Sequence, residues 1–244
     1  MAETQKIQAF VIREVEVGEY ESILTLLSSE SVYSCKARGL RKPLAKNRSA
    51  TNPFVFSEFL LSDNGRSLLV LQSAKLLESY HHVLSDFNTV SAASLLNEWL
   101  SSQLYHMPLD APFCFELLET CLKLWHQGHD AKWVLSLAMV SLLAHNGVVI
   151  HTEGCVLCGE KKVTAISVKA GGFLCERHRL LEGIEPLESN SLKQFRWLNH
   201  AGFKNLEILE KEGEIATGLL GLLGEYMVQY TGIKETSLRL LKLL

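Results

Sequence analysis

The 244-residue sequence lacks the motifs that bind nucleotide phosphates and the motifs that carry common enzyme nucleophiles. It contains no G-x-x-x-x-G-K-[ST] loop and no G-x-G-x-x-G turn, which argues against nucleotide hydrolysis and dinucleotide redox chemistry. It also contains no G-x-S-x-G elbow, and no close pair of carboxylates stands out as a catalytic dyad. We therefore expect that the protein is not an enzyme.

Long hydrophobic runs are missing as well. The N-terminus has no charged segment followed by an apolar one, so we expect no secretory signal. The most apolar window, residues 133–150, contains Ser136, Ser141, His145 and Asn146 and is too polar for a membrane-spanning helix. Because 47% of the residues are hydrophobic and 21% are charged, the composition is that of a globular protein. The sequence predicts a cytoplasmic protein.

Cysteine is sparse, and half of the six cysteines belong to one pattern. Cys155-Val-Leu-Cys158 is followed, after sixteen residues, by Cys175-Glu-Arg-His178. Zinc prefers four tetrahedral sulfur or nitrogen ligands, and each of these short turns offers two. A β-rich run at 163–168 and a Gly-Gly pair lie between the turns, which is typical of a zinc ribbon. The pattern predicts one structural Zn²⁺ held by Cys155, Cys158, Cys175 and His178.

Other roles for these cysteines fit the sequence less well. A redox CxxC pair needs no CxxH partner, and no thioredoxin-like βαβ pattern surrounds this one. His151-Thr-Glu153 is similar to the H-x-E of zinc deaminases, but those enzymes separate it from a Pro-Cys-x-x-Cys element, whereas here the two abut. A catalytic zinc usually keeps one position open, whereas four protein ligands close the shell. A redox pair, a catalytic site and a site that has lost its metal are the alternatives. The remaining cysteines, Cys35, Cys114 and Cys121, lie among apolar residues and are expected to be buried thiols.

The first eighty residues have the patterns of strands. Apolar or alternating runs at 7–13, 20–27, 32–39, 54–61 and 67–79 are separated by turn residues. In the third run Tyr33, Cys35 and Ala37 share one face, and Ser34, Lys36 and Arg38 share the other. Five strands of this length predict a small barrel. An OB-fold is the first candidate and an SH3-like barrel is the alternative.

Positive charge is concentrated in this barrel. The net charge of −3 does not suggest a nucleic-acid-binding protein, but residues 31–57 contain no acid. A strand and an adjoining loop that are both basic can present a track for phosphates. A solvated loop without a ligand is the alternative. The predicted phosphate-binding residues are Lys36 and Arg38 on the strand and Arg41, Lys42, Lys46 and Arg48 on the Pro43-containing loop.

From residue 86 the apolar period changes from two to about 3.6. Helices are predicted within 90–104, 113–126, 131–145, 191–200 and 215–230, with Asp130 capping the third. A short last element is predicted at 237–244. Surplus apolar residues, among them Trp99, Trp125 and Trp197, suggest a groove for a hydrophobic peptide. The fold class is thus α+β and multidomain: an OB-fold barrel (1–82), a helical bundle (83–150 and 181–244) and a zinc-ribbon insertion (151–180).

The chain resembles the RecO family of bacterial recombination mediators, from about Ile7 to Leu244. The most specific matching stretches are Val11-Ile-Arg-Glu14, Gly18-Glu-Tyr20, Leu24-Thr-Leu-Leu27, Ala37-Arg-Gly-Leu-Arg-Lys-Pro43, the strand at 54–61, Gly154-Cys-Val-Leu-Cys-Gly159 and Ala170-Gly-Gly-Phe-Leu-Cys175. In that family the Ala-(Lys/Arg)-Gly-x-(Arg/Lys) segment belongs to an OB-fold that binds DNA. Many members with a ribbon carry four cysteines, whereas the fourth position here is His178.

The resemblance implies a non-enzymatic mediator of DNA repair and recombination. Such a protein would bind single- and double-stranded DNA, anneal complementary strands and act at the nucleoid in the cytoplasm. With RecR it would help RecA to replace single-strand-binding protein, whose acidic C-terminal tail it would also bind. The alternative function is a zinc-ribbon adaptor whose barrel binds a partner protein and not DNA. A metal-dependent enzyme acting on nucleic acids is a third possibility.

Overall fold

The computed structural model describes residues 3–42, 44–63, 65, 68–107, 110–242 and 244. Pro43, which the predicted basic loop contains, lies outside the described residues. The chain forms two compact units, the first ending at Gly128 and the second beginning at His129. None of the described helices is long and apolar enough to cross a membrane.

The first unit begins with a closed five-stranded barrel. Its strands are β1 (Glu3–Val17), β2 (Glu21–Ser28), β3 (Val32–Arg38), β4 (Val55–Asp63) and β5 (Leu69–Ser79). The strand order is β1-β2-β3-β5-β4, and β1 pairs with both β2 and β4. All pairs are antiparallel except β3 with β5, which run parallel. This order is that of the OB-fold, so the predicted barrel is confirmed and the SH3-like alternative is excluded.

Alternation along the strands places the barrel core. In β3, Cys35 and Ala37 are buried among side chains from the other four strands, while Arg38 faces solvent. The interior is filled by small and branched side chains around Phe59, as expected for a narrow barrel. The three cysteines outside the ribbon are all buried, as predicted. Burial raises the pKa of both Cys35 and Cys114 to about 12.

Two helices complete the first unit. Helix α1 (Phe87–His106) begins at Asp86, whose carboxylate accepts a hydrogen bond from the Thr89 backbone N–H, and α2 (Ala111–His126) follows it. The β1–β2 register shifts between Val11 and Arg13, and the Ile12 carbonyl there accepts hydrogen bonds from Asn97 Nδ2 (2.7 Å) and Ser101 Oγ (3.1 Å) of α1. These bonds satisfy a polar group that the strand irregularity would leave unpaired.

The predicted peptide groove is not supported by the tryptophans named for it. Trp99 and Trp125 are buried in the first unit, where they contribute core packing. Trp197 in the second unit is half-buried, with the Lys193 ammonium 4.1 Å from its ring centroid. Trp99 and Trp125 are thus not surplus to the core and are not available to a peptide, whereas the groove itself stays a prediction.

The second unit consists of helices and a two-stranded sheet. Its elements are α3 (Ala131–His145), β6 (Ala165–Ser167), β7 (Gly172–Leu174), α4 (Glu176–Glu182), α5 (Ser189–His200), α6 (Leu206–Lys211), α7 (Leu219–Thr231) and α8 (Leu238–Leu241). Asp130 caps α3 by accepting hydrogen bonds from the N–H groups of Lys132 and Trp133, as predicted. The helix predicted to start at Ile215 begins only at Leu219, because Gly218 adopts a left-handed conformation with φ 88°.

The small sheet packs on helices of the same unit. The rings of Phe173 on β7 and Phe195 on α5 are 5.9 Å apart, and Phe195 lies 6.2 Å from Tyr226 on α7. The Tyr226 hydroxyl donates a 3.0 Å hydrogen bond to the Ser167 carbonyl of β6. The predicted domain boundaries at 82, 151 and 180 stay a prediction, and α1 and α2 lie in the same compact unit as the barrel.

Candidate metal centre and basic surface

Two short turns bring the predicted metal ligands together. In the first, the Gly159 N–H donates to the Cys155 carbonyl (2.7 Å) and the Cys155 N–H donates to the Glu160 carbonyl (2.8 Å), which curls the chain around both cysteines. In the second, Cys175 directly precedes α4, and His178 lies on the first turn of that helix. All four ligand atoms lie within 4.8 Å of one another.

The distances between the ligand atoms fit a tetrahedral metal ion. The Nδ1 atom of His178 lies 3.3 Å from the sulfurs of both Cys155 and Cys175, and the sulfurs of Cys158 and Cys175 are 3.8 Å apart. Zinc bonds to sulfur and nitrogen of about 2.3 Å and about 2.0 Å place tetrahedral sulfurs about 3.8 Å apart and sulfur about 3.5 Å from nitrogen. The Cys₃His cluster could therefore hold a metal ion of this size in a closed shell.

The environment of Cys155 favours the form that binds metals. Burial of its side chain raises the pKa of the thiol. Hydrogen bonds from the backbone at Cys175, Leu157 and Cys158 and from His178 lower the pKa by more than burial raises it, so the net value is about 6. The thiolate, not the thiol, ligates metal ions. The backbone of the cluster thus prepares Cys155 as a ligand.

Two glycines allow the close backbone contacts around the cluster. His151 exchanges hydrogen bonds with the segment at Gly171–Phe173, and a Cβ atom on Gly172 would lie 2.3 Å from the His151 carbonyl oxygen. A Cβ atom on Gly154 would lie 3.0 Å from the carbonyl oxygens of Gly159 and Glu160. Any larger residue at position 172 would therefore disturb the contact that supports β7.

The residues that resemble a deaminase motif do not join the cluster. His151 uses its backbone to pair with β7, and its side chain is exposed. The side chain of Glu153 faces His200, with 3.0 Å between its Oε1 atom and the His200 Nε2 atom. The four ligating groups all come from the two turns. This arrangement is that of a structural metal site.

The six predicted phosphate-binding residues form what we call the basic surface: Lys36, Arg38, Arg41, Lys42, Lys46 and Arg48. Lys36 and Arg38 lie on β3, as predicted. The following segment coils in successive turns in which the N–H groups of residues 42, 45, 48 and 51 donate to the carbonyls three residues before them (3.1–3.2 Å). Asn47 fixes this segment to β5, because its Oδ1 accepts a 3.1 Å hydrogen bond from the Ala74 N–H. The four loop cations are thus held by an ordered backbone.

Acidic side chains from β1 and β2 lie against four of these cations. Glu21 is 2.6 Å from Lys36 and 4.0 Å from Arg38, while Glu16 is 3.0 Å from Arg41. Glu14 is 3.5 Å from Arg48. An open groove of about 560 Å³ is lined by Glu14, Glu16, Leu40, Arg41, Lys42 and Arg48. The segment that contains no acid in sequence therefore meets three glutamates in space.

Two cations of the basic surface stand apart from this pattern. No carboxylate of the described residues lies within 4 Å of the ammonium groups of Lys42 and Lys46, and both side chains are exposed. The Lys42 ammonium instead lies 5.9 Å from the centroid of the Tyr20 ring. Tyr20, in the β1–β2 turn, is 42% exposed. Sequence reasoning missed this residue, because it assigned Tyr20 to the start of a strand.

Three aromatic residues that lie near these cations in the sequence, Tyr33, Phe54 and Phe56, pack against the interior of the first unit. Phe54 is buried, and the Phe56 ring packs against Phe10 and Phe115 with centroids 5.1 and 5.8 Å apart. Tyr33 is half-buried and packs against the barrel core. None of the three is placed for base stacking.

Comparison with known proteins agrees with this architecture. The family model described as recombination protein O N terminal matches residues 1–80, and the model described as recombination protein O C terminal matches residues 84–239. A DNA repair protein RecO of Exiguobacterium sibiricum is 28% identical over 239 residues, covering 97% of this chain and 95% of the relative.

Two Bacillus proteins give similar values. The DNA repair protein RecO of Bacillus cytotoxicus is 28% identical over 241 residues, covering 98% of this chain and 96% of its own length. The DNA repair protein RecO of Bacillus pumilus is 25% identical over 231 residues, covering 93% of this chain and 90% of its own length. Since the two family models together cover almost the whole chain, from the OB-fold barrel to the helices around the Cys₃His cluster, the chain belongs to the recombination protein O (RecO) family of DNA repair proteins.

Proposed function

We propose that this protein is a non-enzymatic mediator of DNA recombination that binds single- and double-stranded DNA through the basic surface of its barrel. The observation that carries the proposal is a basic strand and ordered loop on an OB-fold, in a chain of the RecO family. The β2–β3 face of an OB-fold and the loops beside it commonly bind oligonucleotides. The protein has no catalytic residue in this proposal.

Phosphate contacts account for binding to both kinds of DNA. Lys42 and Lys46, which have no carboxylate partner among the described residues, make the first contacts with the backbone. Lys36, Arg38, Arg41 and Arg48 then exchange a glutamate for a phosphate. Because phosphate contacts leave base edges free, two complementary strands held in this way can pair, which is what annealing requires.

The Cys₃His cluster holds one structural Zn²⁺ in this proposal. Zinc is the metal that suits three thiolates and one imidazole in a closed tetrahedron. Its ligands come from two turns that lie sixteen residues apart in the chain, so the ion would cross-link the two ends of the ribbon. A direct role for the metal in DNA binding is not part of the proposal.

Partners and location are proposed from family membership. Together with RecR, the protein would help RecA to load onto strands coated with single-strand-binding protein, and it would bind the acidic C-terminal tail of that protein. It would act in the cytoplasm, at the nucleoid. An adaptor that uses the same cations to bind an acidic partner protein, without binding DNA, is the competing function.

The test is fluorescence anisotropy of a labelled single-stranded oligonucleotide across a salt series. Wild-type protein is compared with Lys36→Glu/Arg38→Glu/Arg41→Glu, with circular dichroism to show that both are folded. We expect salt-sensitive binding that the variant loses. A matched control makes the same charge change on exposed lysines of the second unit, Lys204→Glu/Lys211→Glu/Lys234→Glu, and should retain binding.

The possible results separate the candidate functions. Equal binding by the wild type and the barrel variant would place the DNA site elsewhere. Failure of every protein to bind DNA would favour the adaptor function, which predicts that DNA does not compete with an acidic protein partner. A flat salt dependence would exclude phosphate contacts as the source of affinity.

A further inference from the structure

The β1–β2 turn presents an aromatic ring beside the basic surface. Gly18 turns the chain with φ 74°, and Tyr20 follows it at the end of the turn with 42% of its surface exposed. An open groove of about 390 Å³ surrounds the ring, between this turn and the residues that follow β3. This volume falls within the roughly 300–1,000 Å³ of small-molecule sites.

The cation beside the ring is held by the backbone on the opposite side of the groove. Gly39 follows β3 with φ 67°, and its Cβ position would be 3.6 Å from the Lys42 side chain, so the lysine stem passes over the glycine. This path leads the Lys42 ammonium to 5.9 Å from the Tyr20 ring centroid, which is within the range of a cation–π contact. The ring and the cation therefore share one groove.

The charges in this groove balance. Glu19 and Glu21 line it together with Arg38 and Lys42, and Arg38 already lies near Glu21. The Tyr20 hydroxyl forms a hydrogen bond with Glu19, which raises the pKa of the phenol. Because the two carboxylates offset the two cations, the groove has no net charge that would draw a phosphate inside, and a neutral, flat group meets no repulsion there.

We propose that Tyr20 is a stacking site for one unpaired base, so that the basic surface holds the phosphates while this groove holds a base. The inference rests on the proposed DNA-binding function and adds to it a means of telling single strands from duplexes. Bases inside a duplex are stacked on their neighbours and cannot enter the groove. A single strand can place one base on the Tyr20 ring, and the phosphate next to that base can then contact Lys42.

The test compares three DNA probes that carry fluorescein. These are an oligo-dT strand, a strand of equal length in which abasic sites replace the bases, and a blunt duplex. The proteins are wild type, Tyr20→Leu, Tyr20→Phe and the control Tyr105→Leu. The control removes a tyrosine ring of α1 that is 76% exposed, more than Tyr20. Circular dichroism shows whether each is folded.

We expect Tyr20→Leu to bind oligo-dT about 5-fold to about 150-fold more weakly, which corresponds to one base–aromatic stack. Its affinity for the abasic strand and for the duplex should stay unchanged. Tyr20→Phe keeps the ring and should bind all three probes as wild type does, and so should Tyr105→Leu. The wild-type protein should itself prefer oligo-dT over the abasic strand by the same factor. This comparison of two probes does not depend on any variant.

Two results would overturn the inference while leaving the proposed function intact. One is equal binding of oligo-dT by wild type and Tyr20→Leu. The other is an equal loss on all three probes, which would assign Tyr20 a structural or electrostatic role. If wild-type protein binds none of the probes, the proposed DNA-binding function fails, and the stacking site fails with it.

Discussion

Neutralising the glutamates that face the basic surface should tighten DNA binding. Glu14, Glu16 and Glu21 pair with Arg48, Arg41 and Lys36, respectively, at 3.5, 3.0 and 2.6 Å. DNA must break each pair before the cation can contact a phosphate. Glutamine has nearly the same shape without the charge, and at position 14 its amide oxygen can still accept the 2.7 Å hydrogen bond from Ser22. The variant Glu14→Gln/Glu16→Gln/Glu21→Gln removes these competing carboxylates.

The size of the effect follows from the exposure of the pairs. Their side chains are between 28% and 64% exposed, so water and salt screen the attraction. Exposed ion pairs contribute about 0.2–1 kcal/mol each. Three of them therefore oppose binding by about 0.6–3 kcal/mol, and the triple variant should bind a single strand about 3-fold to about 150-fold more tightly.

The salt dependence gives a second, independent measure. If wild-type protein engages only Lys42 and Lys46, log K should fall with log salt at a slope of about −1.4 on a single strand, whereas six engaged cations would give about −4. We expect the wild-type slope to lie between these limits and the triple variant to move towards −4. Anisotropy titrations at several salt concentrations measure both quantities.

A control with the same change in net charge is needed, because removing three acids raises attraction to DNA everywhere. Glu30→Gln/Glu58→Gln/Glu116→Gln changes acids of the first unit that do not contact the basic surface, and of these Glu58 pairs with Lys6. If the triple variant at 14, 16 and 21 binds no more tightly than this control, and with the same slope, the ion pairs do not compete with DNA. The model of exchange between carboxylate and phosphate would then be refuted.

Three further predictions concern the metal site and the barrel. Elemental analysis should find one equivalent of zinc in the wild-type protein. Cys155→Ser should lose this zinc and should melt at a lower temperature. Unchanged metal content in the variant would contradict the assignment. Gly172→Ala should destabilise the protein by about 1–3 kcal/mol in urea unfolding, because its Cβ meets a carbonyl at 2.3 Å, whereas Gly202→Ala, with open space around it, should not. Asn97→Ala/Ser101→Ala leaves the Ile12 carbonyl of β1 without these two partners and should lower the free energy of unfolding by about 1–3 kcal/mol. A decrease below about 0.5 kcal/mol would show that water replaces both bonds.

The parts of the structure that depend on local spacing could be predicted from the sequence. Cys155 and Cys158 are placed by one turn, Cys175 and His178 by another, so their spacing alone indicated the cluster. The alternation in β3 likewise indicated which of its residues face the core. Helix α6 was missed, because its six residues are too few to show a helical period.

The parts that depend on how distant strands meet could not be predicted in the same way. Glu21 faces Arg38 because β2 and β3 form a hairpin, and this pair could have been found by assuming the hairpin register. Glu14 and Glu16 reach Arg48 and Arg41 only through the closure of the barrel and the coiling of the loop after β3. No pattern within residues 31–57 contains that information.

These ion pairs change what the count of cations means for function. Six positive residues suggest tight binding, but the three paired glutamates reduce the charge that DNA meets before any pair opens. A protein that anneals strands must also release the duplex it has formed. Weak phosphate contacts favour release, because the glutamates can displace the phosphates and pair with the cations again. If the stacking site at Tyr20 is correct, pairing of the strands would also withdraw the base from the ring. Pairing of that base would then weaken the protein's hold on its product, so the proposed annealing could end without an energy source.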